Sequence, residues 1–217
     1  MREQLLAPLV LVRTQLRKRR FKDQLAKNKK SNGVLKVVIG ASGISDTGWL
    51  ATEYGFLNIL IESDWLKYFE TDSIDRMMAE HVWEHMTIQD GLIAARNCFR
   101  FLNDGGSIRV AVPDRLNPDV KYIDAVKPNG FGPGAKDHKV LYTKQSLCHV
   151  FETAGFEVEL LEFFDESGKF LFETWSPGDG LIRRSLKFDP RNTDGAVNYT
   201  SLIIDAKKVK NSEALLR

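Results

Sequence analysis

The stretch Glu80–Met86, EHVWEHM, holds the residues of this chain best suited to chemistry. His81, Glu84 and His85 form the pattern H-x-x-E-H, in which two imidazoles four residues apart could bind zinc. Such a site needs a third ligand and a helix that keeps both histidines on one face. His81 instead comes two residues after a predicted strand, and no third ligand can be singled out among the downstream acids. We therefore expect no metal at this motif.

Composition and charge indicate one globular domain preceded by a basic segment. The 217 residues are 43% hydrophobic and 28% charged, and no apolar run reaches the roughly 20 residues that a membrane-spanning helix needs. Residues 1–30 hold ten Lys or Arg and two acids, a net charge of +8, which leaves −6 on the rest of a chain whose total is +2. Two cysteines without a C-x-x-C pair fit a reducing compartment, so we expect a cytoplasmic protein, either free or peripheral to a membrane.

We expect residues 1–32 to form a basic helical arm and residues 33–217 to form the main domain. The apolar residues of the arm are Leu5, Leu9, Val12, Leu16 and Phe21. We favour their packing on a neighbouring surface, because Pro8 breaks the apolar run and the basic residues do not keep to one face. The alternative is an interfacial helix that contacts a membrane surface or a partner protein.

Predicted strands alternate with predicted helices along the main domain. Strands are predicted at 34–40, 49–54, 57–63, 74–79, 107–113, 156–164 and 199–208, and helices at 87–102 and 143–155. This alternation predicts an α/β open sheet, mostly parallel, with an antiparallel C-terminal edge. Residues 41–48 are too few for the usual helical crossover between the first two strands. Long loops are predicted at 114–137 and 165–198.

Several segments carry a resemblance through their order and spacing. They are VVIGASG, GWLATEY, LIESD, IDRMMAEHVWEHM, FLNDGGSIRVAVPD, HKVLYTKQSLCHVFETAGFEVE and the tail GLIRRSLKFDPRNTDGAVNYTSLIIDAKK. In this order they resemble the short class I S-adenosylmethionine-dependent methyltransferases, especially a bacterial and viral group associated with polysaccharide biosynthesis. The resemblance spans roughly residues 35–208. It implies a Rossmann-like open sheet, S-adenosyl-L-methionine as cofactor and methyl transfer as the activity.

The resemblance also implies a cofactor site at the carboxyl ends of the first four strands. Its residues would be Gly40, Ala41, Ser42 and Gly43 at the methionine part, Glu53 at the ribose, Asp64 and Trp65 at the adenine, and Ala79 and Glu80 beneath the cofactor. The loop reads G-A-S-G where the family has G-x-G-x-G. Considered one at a time, the glycines would indicate only a turn, and Glu53 and Asp64 would be only solvated acids at strand ends.

Methyl transfer to an oxygen needs alignment of the reactants and gains from a general base. The candidate bases are His138, Asp114 and His81, of which the histidines titrate near neutral pH. The alternatives are that His138 holds the backbone of its loop and that Asp114 caps a turn. We expect an O-methyltransferase that acts on a sugar hydroxyl of a glycan or glycoconjugate.

Two other functions fit parts of the chain. The altered glycine loop would suit a non-catalytic, methyltransferase-like binding module. The basic arm would suit nucleic-acid methylation, but the body is acidic and no N-P-P-Y-like motif follows the fourth strand. The second long loop and its end carry aromatic and basic residues that could grip a phosphorylated sugar or form a homodimer contact. They are Trp175, Arg183, Arg184, Arg191 and Tyr199.

Overall fold

Most helices and strands follow the hydrophobic pattern of the sequence, but each of the two predicted long loops contains a short helix or strand and one predicted strand is absent. A computed structural model describes residues 2–31, 33–41, 46–193 and 196–209, with side chains from Val12 onward. The helices are α1 (Arg2–Ser31), α2 (Glu62–Trp65), α3 (Ile88–Phe101), α4 (Val120–Val126) and α5 (Lys144–Thr153). The strands are β1 (Lys36–Ile39), β2 (Leu50–Ala51), β3 (Ile74–Glu80), β4 (Leu102–Val112), β5 (Glu157–Phe164), β6 (Phe170–Phe172) and β7 (Leu202–Lys207).

The strands form one sheet in the order β2-β1-β3-β4-β7-β5-β6. The first four strands in this order are parallel neighbours. Strand β7 runs antiparallel to both β4 and β5, and β6 runs antiparallel to β5. Strand β5 therefore points the same way as the first four, so most of the sheet is parallel. The predicted Rossmann-like α/β sheet with an antiparallel C-terminal edge is confirmed. Between β1 and β2, the described residues 40–41 and 46–49 contain no helix, as expected.

Local capping explains where the two predicted helices begin. Thr87 precedes α3, and its side chain accepts a hydrogen bond from the Asp90 amide. Thr143 precedes α5 and forms a reciprocal capping box with Ser146. Both arrangements satisfy amides that the first helical turn leaves unpaired. These caps are short-range, which is why the sequence predicts both helices well.

The strand predicted at residues 57–63 is wrong. This segment is a turn followed by α2, and Trp65 at the end of α2 is fully buried and stacks on Phe101 at a centroid distance of 5.2 Å. The indole Nε1 of Trp65 and the amide of Asn97 both donate to the Ile59 carbonyl, at 3.1 and 2.7 Å. Two side chains therefore satisfy the Ile59 carbonyl, which in a strand would accept a hydrogen bond from a neighbouring strand. A short apolar run does not by itself distinguish a strand from other buried segments.

The two faces of the sheet are covered differently. Buried residues of α1, α3 and α5 pack with one face, whereas residues 173–193 cover the other through Trp175 and Ile182. Arg109 on β4 holds that cover. It is 2% exposed, forms two bonds of 2.7 Å with Asp205, and donates to the carbonyls of Ser176 and Gly180. The segment predicted as a long loop at 165–198 therefore contains β6 and a cover segment, residues 173–193, that packs on this face.

Helix α1 packs on the main domain near its C-terminal end. Phe21 is 1% exposed and belongs to the main core, as does Leu25, while Val12 and Leu16 are exposed. The predicted packing of the arm thus holds for Phe21 but not for Val12 and Leu16. The side chains of Leu5 and Leu9 lie outside the described residues. Among the helices described, none combines the length and apolar character needed to cross a membrane.

Candidate functional site

A cleft opens at the carboxyl ends of β1 and β3. Strand β1 has β2 on one side and β3 on the other, so the order of strands reverses at this point. In open α/β sheets such a switch point is where ligands bind. The cleft has two adjoining cavities of about 180 and 430 Å³, which share Ile39, Gly40, His81 and His85 in their walls.

Gly40 forms the wall where β1 ends. Its φ is +64°, and a Cβ atom added there would lie 2.7 Å from Cγ2 of Val82. Only glycine therefore fits this close approach of the two strand ends. The next residue, Ala41, also lines the smaller cavity, and its amide donates to the Thr52 carbonyl at 2.9 Å. Ser42 and Gly43, also expected in the cofactor site, lie outside the described residues.

Glu53, which the sequence predicts at the ribose, follows β2 by two residues and lines neither cavity. Its carboxylate is 15% exposed and forms a 2.7 Å ion pair with Arg17 of α1. The neighbouring Tyr54 is 80% exposed and lines the larger cavity. Tyr54 is not among the cofactor residues predicted from the sequence. An aromatic residue directly after a strand-end acid was the signal that could have indicated it.

Asp64, Trp65 and Ala79 do not line either cavity, so the sequence-based placement of the first two at the adenine needs correction. Asp64 accepts a hydrogen bond from the Asn58 amide and pairs with Lys67, which lowers the pKa of Asp64. Trp65 and Ala79 are fully buried. The physical reason is the missing third strand, because α2 turns Asp64 and Trp65 away from the cleft. Asn58 lines the larger cavity instead.

Glu80, which the sequence predicts beneath the cofactor, ends β3 and lines the smaller cavity. Its carboxylate accepts hydrogen bonds from the amides of Arg184 at 2.8 Å and Arg183 at 3.2 Å. Arg183 also reaches Asp46 with a 2.6 Å ion pair. Glu80 thus anchors the cover segment at the cleft and brings both arginine side chains into the wall of the smaller cavity.

Three other residues named in the second long loop or at its end have structural partners. Trp175 lies over the Arg109 guanidinium at 4.7 Å and donates to Glu162 at 2.9 Å. Arg191 pairs with Asp189 and lies over the ring of Tyr199 at 3.4 Å. None of Trp175, Arg191 and Tyr199 lines either cavity of the cleft.

His81 has an unusual backbone, with φ at +55°. Its amide donates to the Ala111 carbonyl at 2.8 Å, and its ring joins Ser201 Oγ, 3.0 Å from Nε2, to Glu84 Oε1, 3.2 Å from Nδ1. Burial raises the pKa of the Glu84 carboxyl, but the effects of His81 and His85 outweigh it, so this pKa lies below its usual value. A strained non-glycine residue in a cleft is a marker of function.

His138 reaches the same cavity from the loop after α4. It is 8% exposed and its Nδ1 lies 2.6 Å from the Val126 carbonyl. A carbonyl can only accept, so Nδ1 carries a proton and Nε2 of the neutral ring is an acceptor. The structure therefore brings His138 and His81 together in one wall. The backbone contact that the sequence analysis kept as an alternative for His138 is also present.

Asp114, the remaining candidate base, does not line the cleft. It is 1% exposed, and its carboxylate accepts hydrogen bonds from the amides of Leu116 and Phe164, both at 2.8 Å. Burial raises the pKa of Asp114 to about 6, against the lowering effect of those two amides. The predicted catalytic role of Asp114 is therefore corrected. One of its carboxylate oxygens caps a turn, and the other holds β5.

Comparisons with known proteins give structural likeness only. No protein-family model matches the chain, and no curated protein matches its sequence. A SAM-dependent methyltransferase from Archaeoglobus fulgidus is 16% identical, with a TM-score of 0.47, and the match covers 85% of this chain and 92% of that one. A SAM-dependent methyltransferase of Thermotoga maritima, described as a possible histamine N-methyltransferase, is 14% identical, with a TM-score of 0.47 and coverage of 89% and 91%. An S-adenosylmethionine-dependent methyltransferase of Mesorhizobium loti is also 14% identical, with a TM-score of 0.47 and coverage of 81% and 91%.

Proposed function

We propose that this protein is an S-adenosylmethionine-dependent methyltransferase that binds its cofactor in the cleft between β1 and β3. The observation that carries the proposal is the cleft at the switch point of the sheet, with Gly40 admitting close backbone approach at the end of β1. Glu53 and Tyr54 are suited to bind the ribose and the adenine of the cofactor. A carboxylate can accept hydrogen bonds from ribose hydroxyls, and an exposed aromatic ring can stack on a base. The larger cavity, beside Tyr54, is the proposed place of the adenosine part.

The proposed acceptor is a sugar hydroxyl of a glycan or glycoconjugate. The smaller cavity adjoins the larger one, and its wall contains His81, His138, Arg183 and Arg184. A hydroxyl is a poor nucleophile until it loses its proton, and the acceptor nitrogen of His138 is suited to take that proton. The arginines could hold a phosphate or carboxylate on a substituted sugar. The sequence resemblance to polysaccharide-associated methyltransferases supports the same acceptor class.

Calorimetry with S-adenosylhomocysteine tests the cofactor assignment. We expect saturable binding at micromolar to millimolar ligand, and we expect Glu53→Ala to weaken it at least tenfold. Arg17→Ala is the matched control, because it breaks the same ion pair but keeps the carboxylate. Asp64→Ala is a second control, since Asp64 lies on α2 and, unlike Glu53, is not adjacent in the chain to a residue that lines the cleft. Absence of heat at millimolar ligand would overturn the proposal, and equal affinities of all variants would overturn the role of Glu53.

Transfer of an isotope-labelled methyl group tests the acceptor. Incubation with cell-extract fractions should label the glycan fraction and leave nucleic acid and protein unlabelled. Cofactor binding without transfer to any fraction would favour the non-catalytic binding module instead. Contacts of the basic helix α1 with a membrane surface or a partner protein, and a homodimer, stay predictions alongside this proposal.

A further inference from the structure

Three side chains that could bind a metal ion meet in the wall of the smaller cavity. Glu84, His85 and His138 each offer one ligand atom, and these atoms lie within 4.8 Å of one another. Glu84 and His85 belong to a 3₁₀ turn that follows β3. The Glu84 carbonyl accepts hydrogen bonds from the amides of Lys139 at 2.7 Å and Val140 at 3.2 Å. These two hydrogen bonds hold the loop that contains His138 next to Glu84 and His85.

Glu84 is a buried carboxylate without hydrogen-bond donors. Its side chain is 0% exposed, and neither of its oxygens accepts a hydrogen bond from any described group of the protein. Nδ1 of His81 lies at ion-pair distance, 3.2 Å from Oε1, without the geometry of a hydrogen bond. Burying a carboxylate without partners is strongly unfavourable unless a cation or a metal compensates it. His81 and His85 can compensate this charge only when their rings are protonated, so beside neutral imidazoles Glu84 calls for another positive charge.

His138 presents a lone pair to that carboxylate. Since its Nδ1 donates to the Val126 carbonyl, Nε2 of the neutral ring is an acceptor, and it lies 3.9 Å from Glu84 Oε1. Two acceptors then face each other, an arrangement that a cation between them would stabilise. Donation of the remote ring nitrogen to a backbone carbonyl is also the usual way in which proteins orient a metal-binding histidine.

His85 adds a second imidazole and connects the cluster to the cleft. Its ring packs edge-on against that of His138, with centroids 4.8 Å apart. Unlike Glu84 and His138 it is only partly buried, and it lines both cavities. An ion held by the three side chains would therefore have a coordination position open to the cleft.

We propose that Glu84, His85 and His138 bind a divalent transition-metal ion of the zinc type, and that His81 positions the Glu84 carboxylate. Two imidazoles and one carboxylate form a donor set that zinc uses when it keeps an open position. For bonds of about 2.1 Å the ligand atoms must draw together to roughly 3.4 Å apart. The H-x-x-E-H pattern thus contributes Glu84 and His85 as ligands. The third ligand that the sequence did not identify is His138.

The consequence for catalysis rests on the proposed methyltransferase function. An acceptor hydroxyl bound at the open position would have its pKa lowered by the cation, as metal-bound water does. His138 would then act as a ligand of the ion and not as the base suggested above. The metal site itself is independent of that function, because it is defined by side chains that the cofactor assignment does not use.

Metal binding to the full-length, chelator-treated protein tests the proposal. Titration with ZnCl₂ by calorimetry should show one equivalent bound, and CoCl₂ should give the visible absorption bands of a protein-bound Co²⁺. Glu84→Gln and His138→Gln should each weaken binding at least 100-fold. His149→Ala is the matched control, because His149 is neither a proposed ligand nor the proposed positioning residue and lies exposed on α5. We expect this variant to bind like the parent.

Folding and positioning need separate measurements. Glu84→Gln removes a carboxylate whose charged form His81 and His85 favour, so circular dichroism and thermal unfolding must show that the variant is folded, and His138→Gln decides the test if it is not. His81→Ala should lower affinity roughly 10–100-fold and shift the Co²⁺ bands without abolishing them, as expected of a residue that orients a ligand.

Two results would overturn the metal site: no binding of either ion by the parent, or unchanged binding by both Glu84→Gln and His138→Gln. Calorimetry with S-adenosylhomocysteine on the same samples separates this inference from the proposed function. Cofactor binding without metal binding removes only the metal site. Metal binding without cofactor binding removes only the methyltransferase assignment.

Discussion

At the scale of single residues, two left-handed backbone conformations shape the cleft. Gly40 has φ at +64° and His81 has φ at +55°. Glycine adopts this region freely, whereas histidine pays roughly 1–2 kcal/mol for it. The Ala111 carbonyl and Ser201 hold His81 in place through its amide and its ring. The position of its ring between Ser201 and Glu84 is thus maintained against local strain.

Replacement of Gly40 by alanine should damage both stability and cofactor binding. We expect Gly40→Ala to lose more than the roughly 1–2 kcal/mol that a left-handed alanine costs, because its Cβ would also lie 2.7 Å from Val82. Gly48→Ala is the matched control, with φ at +83° and no atom within 4 Å of the added Cβ. Urea unfolding measures the first effect and calorimetry the second. Equal losses in the two variants would contradict the close approach at Gly40.

The buried Asp114 should make stability depend on pH. Its pKa of about 6 lies above the usual 3.8, so the folded chain keeps a proton that the unfolded chain releases between these values. Stability should therefore fall as the pH rises from about 4 to about 6, by about 3 kcal/mol from this group. Asp114→Asn cannot ionise, and its stability relative to the parent should rise by that amount over the same range.

Urea unfolding at a series of pH values measures this difference. Asp119→Asn, at the exposed start of α4, is the control and should keep the pH dependence of the parent. Parallel pH curves for Asp114→Asn and the parent would show that Asp114 is ionised in the fold like an exposed carboxyl.

At the scale of elements, short irregular segments position most of the cleft. The 3₁₀ turn after β3 holds Glu84 and His85, and the loop after α4 carries His138. The cover segment 173–193 closes the second face of the sheet and supplies Arg183 and Arg184. Helices and strands set the cleft at the switch point, and these segments supply most of its polar groups.

Arg109 should be essential for the cover segment. Arg109→Met leaves Asp205 and two carbonyls without their donor, and we expect a loss of about 3–5 kcal/mol in the free energy of unfolding. The double variant Arg109→Met with Asp205→Asn should recover part of this loss, because no unpaired carboxylate stays behind. Urea unfolding gives the energies. Trypsin should also cleave faster after Arg184, and an unchanged cleavage rate would argue against Arg109 as the anchor.

At the scale of the whole molecule, the basic N-terminal helix shares the core of the main domain. Phe21 contacts Phe56, Tyr68 and Phe69, with ring centroids 5.3, 5.1 and 6.0 Å away. A boundary at residue 32 would therefore cut through an aromatic cluster. The +8 charge of residues 1–30 lies on a helix that the −6 remainder holds through packing and through the pair of Arg17 with Glu53.

Loss of the Phe21 ring should destabilise the entire protein. We expect Phe21→Ala to lower the free energy of unfolding by about 3–5 kcal/mol, as for a buried aromatic residue. Leu16→Ala, on the same helix but 62% exposed, should change it by no more than about 0.5 kcal/mol. Tryptophan fluorescence and circular dichroism should follow one shared transition. A separate early loss of helix would show instead that the arm unfolds independently.

The amino-acid sequence by itself determined the α/β sheet, its antiparallel edge, the two long helices α3 and α5, and the cleft residues Gly40 and Glu80. These features depend on hydrophobic periodicity, capping and glycine, all of which act over a few neighbouring residues. The same local signals located His81 at the end of a strand. They also showed the H-x-x-E-H pattern directly after a strand, where we expected no metal.

Only the tertiary structure decided which distant groups meet. It turned residues 57–63 away from the sheet, buried Trp65 against Phe101, and used Asp114 to hold β5. It also brought His138 to Glu84 through the amides that follow His138. Such contacts join residues tens of positions apart and depend on how the whole core packs. No spacing within the chain specifies them, which is why the sequence alone led us to expect no metal at H-x-x-E-H and why the proposed metal site rests on the fold.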